Sequence, residues 1–241
     1  MTSKTIQNVA FLPGMLADER LWEKSLPFIT NNQTGLRLRP HFIDMAEGES
    51  IGHIADQVLR QMPGRFALVG MSMGGYVAFE IMRRSPGRIS HMMLVNTRAC
   101  AESAVSRRKR GLMARMIKQQ PVFRGFNGPL LDGALHPDNR HQTSLLSVLE
   151  EMAASLGRDV FCRQQIAVAN RADYFADLAH ITIPCHVMWG QGDAIIPPKL
   201  QLAMAQKIPH ATFQEIPGAG HYVPLEAPEI FANGLMSLLA R

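Results

Sequence analysis

The stretch that decides the fold of this chain reads FALVGMSMGGY and runs from Phe66 to Tyr76. Its first half is a short apolar run that is typical of a buried strand, and the residues after it carry a helical pattern. The turn between them has the pattern Gly-x-Ser-x-Gly, with Ser72 at its centre between Gly70 and Gly74. The combination predicts a sharp turn that makes one serine protrude, with glycines where side chains would clash.

A protruding serine acts as a nucleophile only if a base takes its proton and a third group orients that base. The sequence offers Asp193 after an apolar strand and His221 in a glycine-rich loop after the last strand. In a parallel sheet these positions share one edge with Ser72, and Ser, Asp, His is the order expected of such a triad. Taken singly, an Asp after glycine is more often a turn residue and a loop His more often a surface residue. The three together predict a catalytic triad.

The charge that develops on an attacked carbonyl oxygen needs two backbone N–H donors. One is predicted to come from Met73, the residue after the serine. The other should come from the turn after the first strand, which reads Pro13-Gly14-Met15. Since proline has no N–H, Met15 or Leu16 must supply this donor, and we expect Met15 to do so.

The composition is that of a globular protein with a sizeable core. The chain has 241 residues, of which 46% are hydrophobic, and this length suits one α/β domain with an insertion. No segment is predicted to span a membrane, and the start lacks the apolar stretch of a signal peptide, so we expect a cytoplasmic protein. Three widely spaced cysteines predict reduced thiols, and neither a metal site nor a cofactor is predicted.

The order of the elements predicts an α/β fold with a mostly parallel sheet of about six strands and helices on both faces. Residues 98–180 interrupt the alternation of strands and helices: they contain no clear strand and have helical patterns at 103–120, 143–156 and 159–170. We therefore predict an α/β core formed by residues 1–97 and 181–241, with residues 98–180 as a helical insertion. A closing helix is predicted for residues 224–239.

Four motifs carry a resemblance to a known family. They read LPGM (12–15), GMSMGG (70–75), WGQGD (189–193) and GAGHYVPLEAPE (218–229). Through them the chain resembles the α/β-hydrolase superfamily over nearly its whole length, among the short members in which the insertion is a lid. The resemblance implies Ser72 as nucleophile, His221 as base and Asp193 as its orienting group, with Met15 and Met73 as oxyanion donors.

Among characterised groups the chain is similar to pimeloyl-carrier methyl ester esterases and 3-oxoadipate enol-lactonases, with two departures. The usual His-Gly after the first strand is Pro13-Gly14 here. The usual Asp-x-x-Gly-x-Gly-x-Ser loop after the second strand is DMAEGES, residues 44–50. Because both segments flank the pocket, the departures bear on the identity of the substrate rather than on the chemistry.

The triad and the resemblance predict a serine hydrolase that cleaves a carboxylic ester, thioester or lactone through an acyl-enzyme on Ser72. Two other functions fit the same fold. One is a C–C bond hydrolase of ring-cleavage products, and the other is a non-catalytic ligand receptor. An intact triad favours an enzyme over a receptor.

The insertion begins with a strongly basic segment, residues 98–124, in which Glu102 is the one acidic residue. A solvated helix face is the ordinary interpretation, but a cationic lid would also favour an anionic or carrier-bound substrate. Neither nucleic acid nor a membrane is a predicted partner, and the sequence predicts no particular oligomeric state. The basic residues are Arg98, Arg107, Arg108, Lys109, Arg110, Arg115, Lys118 and Arg124.

Overall fold

The computed structural model describes residues 6–31, 35–123, 125 and 133–241. These residues form a six-stranded sheet in the order β2-β1-β3-β4-β5-β6, and every neighbouring pair is parallel. This confirms the predicted α/β fold class. The strands are β1 (Ile6–Leu12), β2 (Arg37–Phe42), β3 (Phe66–Met71), β4 (Ile89–Val95), β5 (Cys185–Gly190) and β6 (Thr212–Ile216).

Helices cover both faces of the sheet, because successive strand residues point to opposite faces and most are apolar. Leu68 and Leu94 pack on one face with α3, α4 and α7. Val69 and Val95 pack on the other face with α1, α2 and α9. The helices are α1 (Arg20–Glu23), α2 (Leu26–Thr30), α3 (Ile51–Gln61), α4 (Met73–Arg84), α5 (Ala104–Gln119), α6 (Thr143–Ala169), α7 (Pro198–Lys207), α8 (Val223–Glu226) and α9 (Pro228–Leu239).

The inner strands of the sheet are the most deeply buried part of the chain. Every residue of β3 and β5 is buried, whereas the edge strands β2 and β6 are largely exposed or half-buried. Strands covered on both faces read as continuous apolar runs, which is why the sequence signals them clearly. The carboxyl ends of these inner strands therefore offer a rigid base for a site.

Three predicted helices have different boundaries in the structure. The closing helix is divided into α8 and α9 at Ala227, whose φ of −138° and ψ of 59° are not helical. Ala227 precedes Pro228, and a proline ring disfavours the helical conformation of the residue before it. The helices predicted at 143–156 and 159–170 are joined as α6, with a kink at Gly157, where φ is 79°.

The stretch between β4 and β5 holds α5 and α6, which pack against each other. Its described residues form no strand. Part of this stretch lies outside the described residues, and the division into a core and a lid stays a prediction. Within the described parts of the chain, we find no helix that is both long and apolar enough to cross a membrane.

Candidate active site

Ser72 lies between β3 and α4 in a backbone conformation that is rare for a residue with a side chain. Its φ is 52° and its ψ is −111°, outside the regions that non-glycine residues ordinarily occupy. The Ser72 N–H donates to the Val95 carbonyl at 2.9 Å, and the Ser72 carbonyl accepts from the Gly75 N–H at 3.1 Å and from Thr97 Oγ1 at 2.8 Å. The strained turn is therefore held by β4, α4 and the residues that follow β4.

The glycines around Ser72 are required by close backbone packing. A Cβ at Gly70 would lie 2.7 Å from the Gly74 carbonyl oxygen, and one at Gly74 would overlap the Leu12 carbonyl oxygen. At Gly75 a Cβ would overlap the Thr97 side chain. The absence of these side chains lets α4 begin directly after the serine and against the end of β1.

Asp193 and His221 form a buried, hydrogen-bonded pair. His221 Nδ1 lies 3.0 Å from Asp193 Oδ2, and both residues are only 3% exposed. Two further side-chain amides donate to the same oxygen, that of Asn96 at 2.8 Å and that of Gln201 at 3.1 Å. The loop after β5 and the loop after β6 are thus joined through one carboxylate.

The environment keeps Asp193 ionised. Its Oδ1 accepts from the backbone N–H groups of Ile195 and Ile196, each at 2.9 Å. Burial alone would raise the pKa of Asp193, but the charge and hydrogen bond of His221, together with the other donors, outweigh burial and lower this pKa. An ionised carboxylate only accepts hydrogen bonds, so we assign the ring proton of His221 to Nδ1, which leaves Nε2 as the basic nitrogen.

The structure also shows three polar residues at the pair that the sequence analysis missed. Asn96 is fully buried and directly follows β4; besides Asp193, it donates to the Gly220 carbonyl at 3.1 Å. A polar residue at the end of a central apolar strand is a signal by which Asn96 could have been predicted from the sequence. Gln201 lies in α7, where nothing in the helical pattern distinguishes it. The third is Glu226, which binds backbone N–H groups on both sides of His221.

Glu226 fixes the loop that carries His221. Its Oε1 accepts from the backbone N–H groups of Gly220 and Tyr222, at 2.9 and 3.1 Å. Its Oε2 accepts from the backbone N–H of His136 at 2.8 Å. The His221 N–H donates to a further carbonyl, that of Ala134, at 2.7 Å. The histidine loop is therefore tied at several points to the segment that precedes α6.

Two backbone N–H groups beside Ser72 have no acceptor among the residues that the structure describes. Met73 is the first residue of α4, where an N–H has no acceptor within the helix. The turn after β1 is also close, because a Cβ at Gly14 would lie 3.6 Å from Ser72 Cβ. In that turn the Leu16 N–H donates to a side chain of α6, whereas the Met15 N–H has no acceptor among the described residues.

The topology places the candidate residues at one edge of the sheet. Ser72 follows β3, Asp193 follows β5 and His221 follows β6, and all three strands run in the same direction. Asn96 and Thr97, which follow β4, connect them: Thr97 binds the Ser72 carbonyl and Asn96 binds Asp193. In the part of the chain that the structure describes, the Ser72 hydroxyl forms no hydrogen bond, and so none joins it to the His221 ring.

The described residues contain no group of three or more His, Cys, Asp or Glu side chains placed to hold a metal ion. Cys100, Cys162 and Cys185 are free thiols. Burial raises the pKa of Cys185 to about 12, so this thiol stays protonated and is a poor nucleophile.

The chain has a parallel sheet, a strained serine between a strand and a helix, and a His–Asp pair at later strand ends. These features are those of an α/β-hydrolase. The sequence model of the alpha/beta hydrolase family matches residues 11–233. The chain therefore belongs to the alpha/beta hydrolase family, which confirms the predicted superfamily and enzyme class. The finer resemblance to pimeloyl-carrier esterases stays a prediction.

Solved structures with the same fold include three hydrolases. A thermophilic esterase from Thermogutta terrifontis, solved with malate bound, is 24% identical, with a TM-score of 0.82 over 97% of this chain and 89% of that one. A hydrolase from Pseudomonas aeruginosa is 20% identical (TM-score 0.84, 98% and 90% covered). The enol-lactonase from Burkholderia xenovorans is 18% identical (TM-score 0.82, 98% and 92% covered). No curated protein sequence matches this chain significantly.

Proposed function

We propose that this protein is a serine hydrolase that cleaves a carboxylic ester, thioester or lactone with Ser72, His221 and Asp193 as its catalytic triad. The observation that carries the proposal is the buried His221–Asp193 pair at the same sheet edge as a serine held at positive φ. Burying a charged group is costly unless it is paired and hydrogen-bonded, and groups whose pKa is shifted by such pairing cluster at functional sites.

In this proposal the triad residues and two backbone N–H groups have separate roles in the reaction. His221 Nε2 takes the proton of the Ser72 hydroxyl as the serine oxygen attacks the carbonyl carbon. The Met73 and Met15 N–H groups stabilise the oxyanion of the tetrahedral intermediate. Asp193 stabilises the imidazolium and keeps its proton on Nδ1. His221 then protonates the leaving group, and water activated by His221 releases the acid from the acyl-enzyme.

The test is a panel of esters, thioesters and lactones of graded chain length, with a β-diketone of the type that C–C hydrolases cleave. We expect turnover of the first three classes and its loss in Ser72→Ala and His221→Gln. His141, an exposed histidine of the insertion, provides the matched control His141→Gln, which should keep full activity. Cleavage of the diketone alone would indicate the C–C hydrolase, and binding without turnover would indicate the receptor.

We further propose that the substrate is anionic or carrier-bound, because one part of the basic segment stays free. Glu102 is buried and pairs with Arg98, Arg110 and Arg171 at 2.9–3.0 Å. Arg107 donates to the carbonyl of Ala169. The side chains of these arginines are therefore bound to partners within the fold.

The remaining cations of α5 are exposed and form no ion pair within the described residues; they are Arg108, Lys109, Arg115 and Lys118. Arg124, the last residue of the basic segment, lies outside the described residues. Exposed charges act mainly by steering, which salt screens. For an anionic substrate, kcat/KM should therefore fall as ionic strength rises, whereas a neutral ester of equal length should barely respond.

A triple variant separates steering by α5 from the general charge of the protein. Arg108→Ser, Lys109→Ser and Arg115→Ser together should flatten the salt dependence for the anionic ester and leave kcat on the neutral ester unchanged. The control removes the same charge from the sheet domain through Lys24→Ser, Arg60→Ser and Lys207→Ser, all at exposed positions. Equal salt responses for both substrates would show that the cations of α5 are only a solvated face.

A further inference from the structure

One buried glutamine connects the insertion to the turn that carries the proposed oxyanion donor. Gln164 lies in α6, and its Oε1 accepts from the Leu16 N–H at 2.9 Å. Its Nε2 donates to the Met45 carbonyl, in the loop after β2, at 3.4 Å. The glutamine is only 1% exposed, so water does not compete for these bonds. A single amide therefore spans three parts of the chain.

The turn after β1 depends on this amide for its shape. Leu16 has a φ of 52°, which is unfavourable for a residue with a bulky side chain. Within the turn, the Ala17 N–H donates to the Gly14 carbonyl over a long 3.3 Å. Without Gln164, the Leu16 N–H would be buried with no acceptor, which is costly, and the turn would rearrange to find one.

The surroundings keep Gln164 itself in place. Leu16 packs in an apolar cluster with Val160 and Phe161, one turn of α6 before the glutamine. The neighbouring Arg163 donates to the Ala46 carbonyl from Nε at 3.1 Å and from Nη2 at 3.0 Å. Helix α6 is thus attached to the loops after β1 and β2 by charged, polar and apolar contacts together.

We propose that Gln164 is a positioning residue for the oxyanion hole. By accepting the Leu16 N–H, it fixes the turn after β1 so that the adjacent Met15 N–H is left free to point at the substrate's carbonyl oxygen. The inference rests on the proposed function of Ser72. It also makes the geometry of the oxyanion hole depend on α6, a helix of the stretch between β4 and β5.

The first test replaces Gln164 by methionine, which has a similar length and suits an apolar site but cannot anchor both loops. Removing one oxyanion donor outright costs about 10²–10³ in kcat. A displaced donor should cost less, so Gln164→Met should lower kcat about 10- to 100-fold with KM nearly unchanged. A trifluoromethyl ketone that matches the ester should bind more weakly by the same factor, since its adduct carries the oxyanion.

The matched control is Gln165, the next residue of α6. It is also buried, but its Oε1 accepts from Arg110 at 2.7 Å, away from the turn after β1. Gln165→Met should lower the melting temperature without changing kcat or the affinity for the ketone. If Gln164→Met behaves in the same way, the glutamine is only structural and the proposal is wrong.

A second variant decides the question if Gln164→Met does not fold. Gln164→Asn keeps the amide but is one methylene too short to reach both loops, so it should show the same joint loss of kcat and ketone affinity. Wild-type values for both in Gln164→Asn would overturn the proposal. Ser72→Ala is measured in parallel: if it keeps its turnover, the proposed function itself fails, a result distinct from either glutamine outcome.

Discussion

At the scale of single residues, Ser72 couples stability to the proposed activity. A residue with a Cβ at φ 52° and ψ −111° costs of order 1–3 kcal/mol, and glycine avoids most of this cost. Both Ser72→Gly and Ser72→Ala should be inactive. The free energy of unfolding of Ser72→Gly should exceed that of Ser72→Ala by about 1 kcal/mol or more. Ser72→Gly should therefore unfold at a higher urea concentration. Equal stabilities would contradict a strained serine.

The residues at the proposed site differ in how visible they are in the sequence. Ser72, Asp193 and His221 stand in short glycine-rich segments at the ends of predicted strands, where a polar residue is conspicuous. Gln201 and Gln164 lie inside helices, where a glutamine is an ordinary residue. Their partners are far away in the chain, and only the packing of the helices brings them together. Spacing within the sequence could not have predicted those contacts.

At the scale of elements, the contact between β1 and α4 is set by the lack of a side chain at Gly74. Gly74→Ala would drive a Cβ into the Leu12 carbonyl oxygen, and backbone atoms cannot move aside as a flexible side chain can. We expect this overpacking to lower the free energy of unfolding by about 1–3 kcal/mol. We also expect kcat to fall, because the turn after β1 would move away from Ser72.

The control for this prediction is Gly87, an exposed glycine without a positive φ, where an added Cβ would have nothing within 4 Å. Gly87→Ala should leave both stability and kcat nearly unchanged. Urea unfolding and steady-state kinetics on one ester measure both quantities. A Gly74→Ala protein that behaves like Gly87→Ala would show that α4 does not need this close approach.

Element boundaries followed from local chemistry where the deciding residue lay at the boundary itself. Ser50 has the residue type of a helix cap, and its Oγ accepts from the His53 N–H at 3.1 Å at the start of α3. The division between α8 and α9 was missed because apolar residues continue on both sides of Ala227. The continuous helical pattern therefore predicted a single helix, although a residue that precedes proline is disfavoured in the helical conformation.

At the scale of the whole molecule, Glu102 holds the start of the insertion to its end. It lies between β4 and α5, and it binds Arg110 of α5 and Arg171, just after α6. Burial would raise the pKa of Glu102, but the hydrogen bond of Arg171 and the charges of Arg110 and Arg98 outweigh it and lower the pKa to about 2.

A carboxylate with a lowered pKa stabilises the fold at neutral pH, and this contribution fades as the pH falls through about 4.5 towards about 2. Glu102→Gln should therefore lose about 3 kcal/mol of unfolding free energy at pH 7. The difference from the wild type should shrink below pH 4.5. Glu150→Gln, at an exposed position of α6, should have little effect. A difference that does not vary with pH would contradict the pairing.

The central claim is that Ser72 is a nucleophile activated by His221, and covalent labelling tests it most directly. A fluorophosphonate should modify the wild-type protein once, at Ser72, as read by peptide mass spectrometry. Labelling should be absent in Ser72→Ala and strongly slowed in His221→Gln. In a separate kinetic measurement, Asp193→Asn should lower kcat by up to roughly 10⁴, because it favours the wrong tautomer of the His221 ring. Labelling at another residue, or an unchanged rate in His221→Gln, would contradict the account.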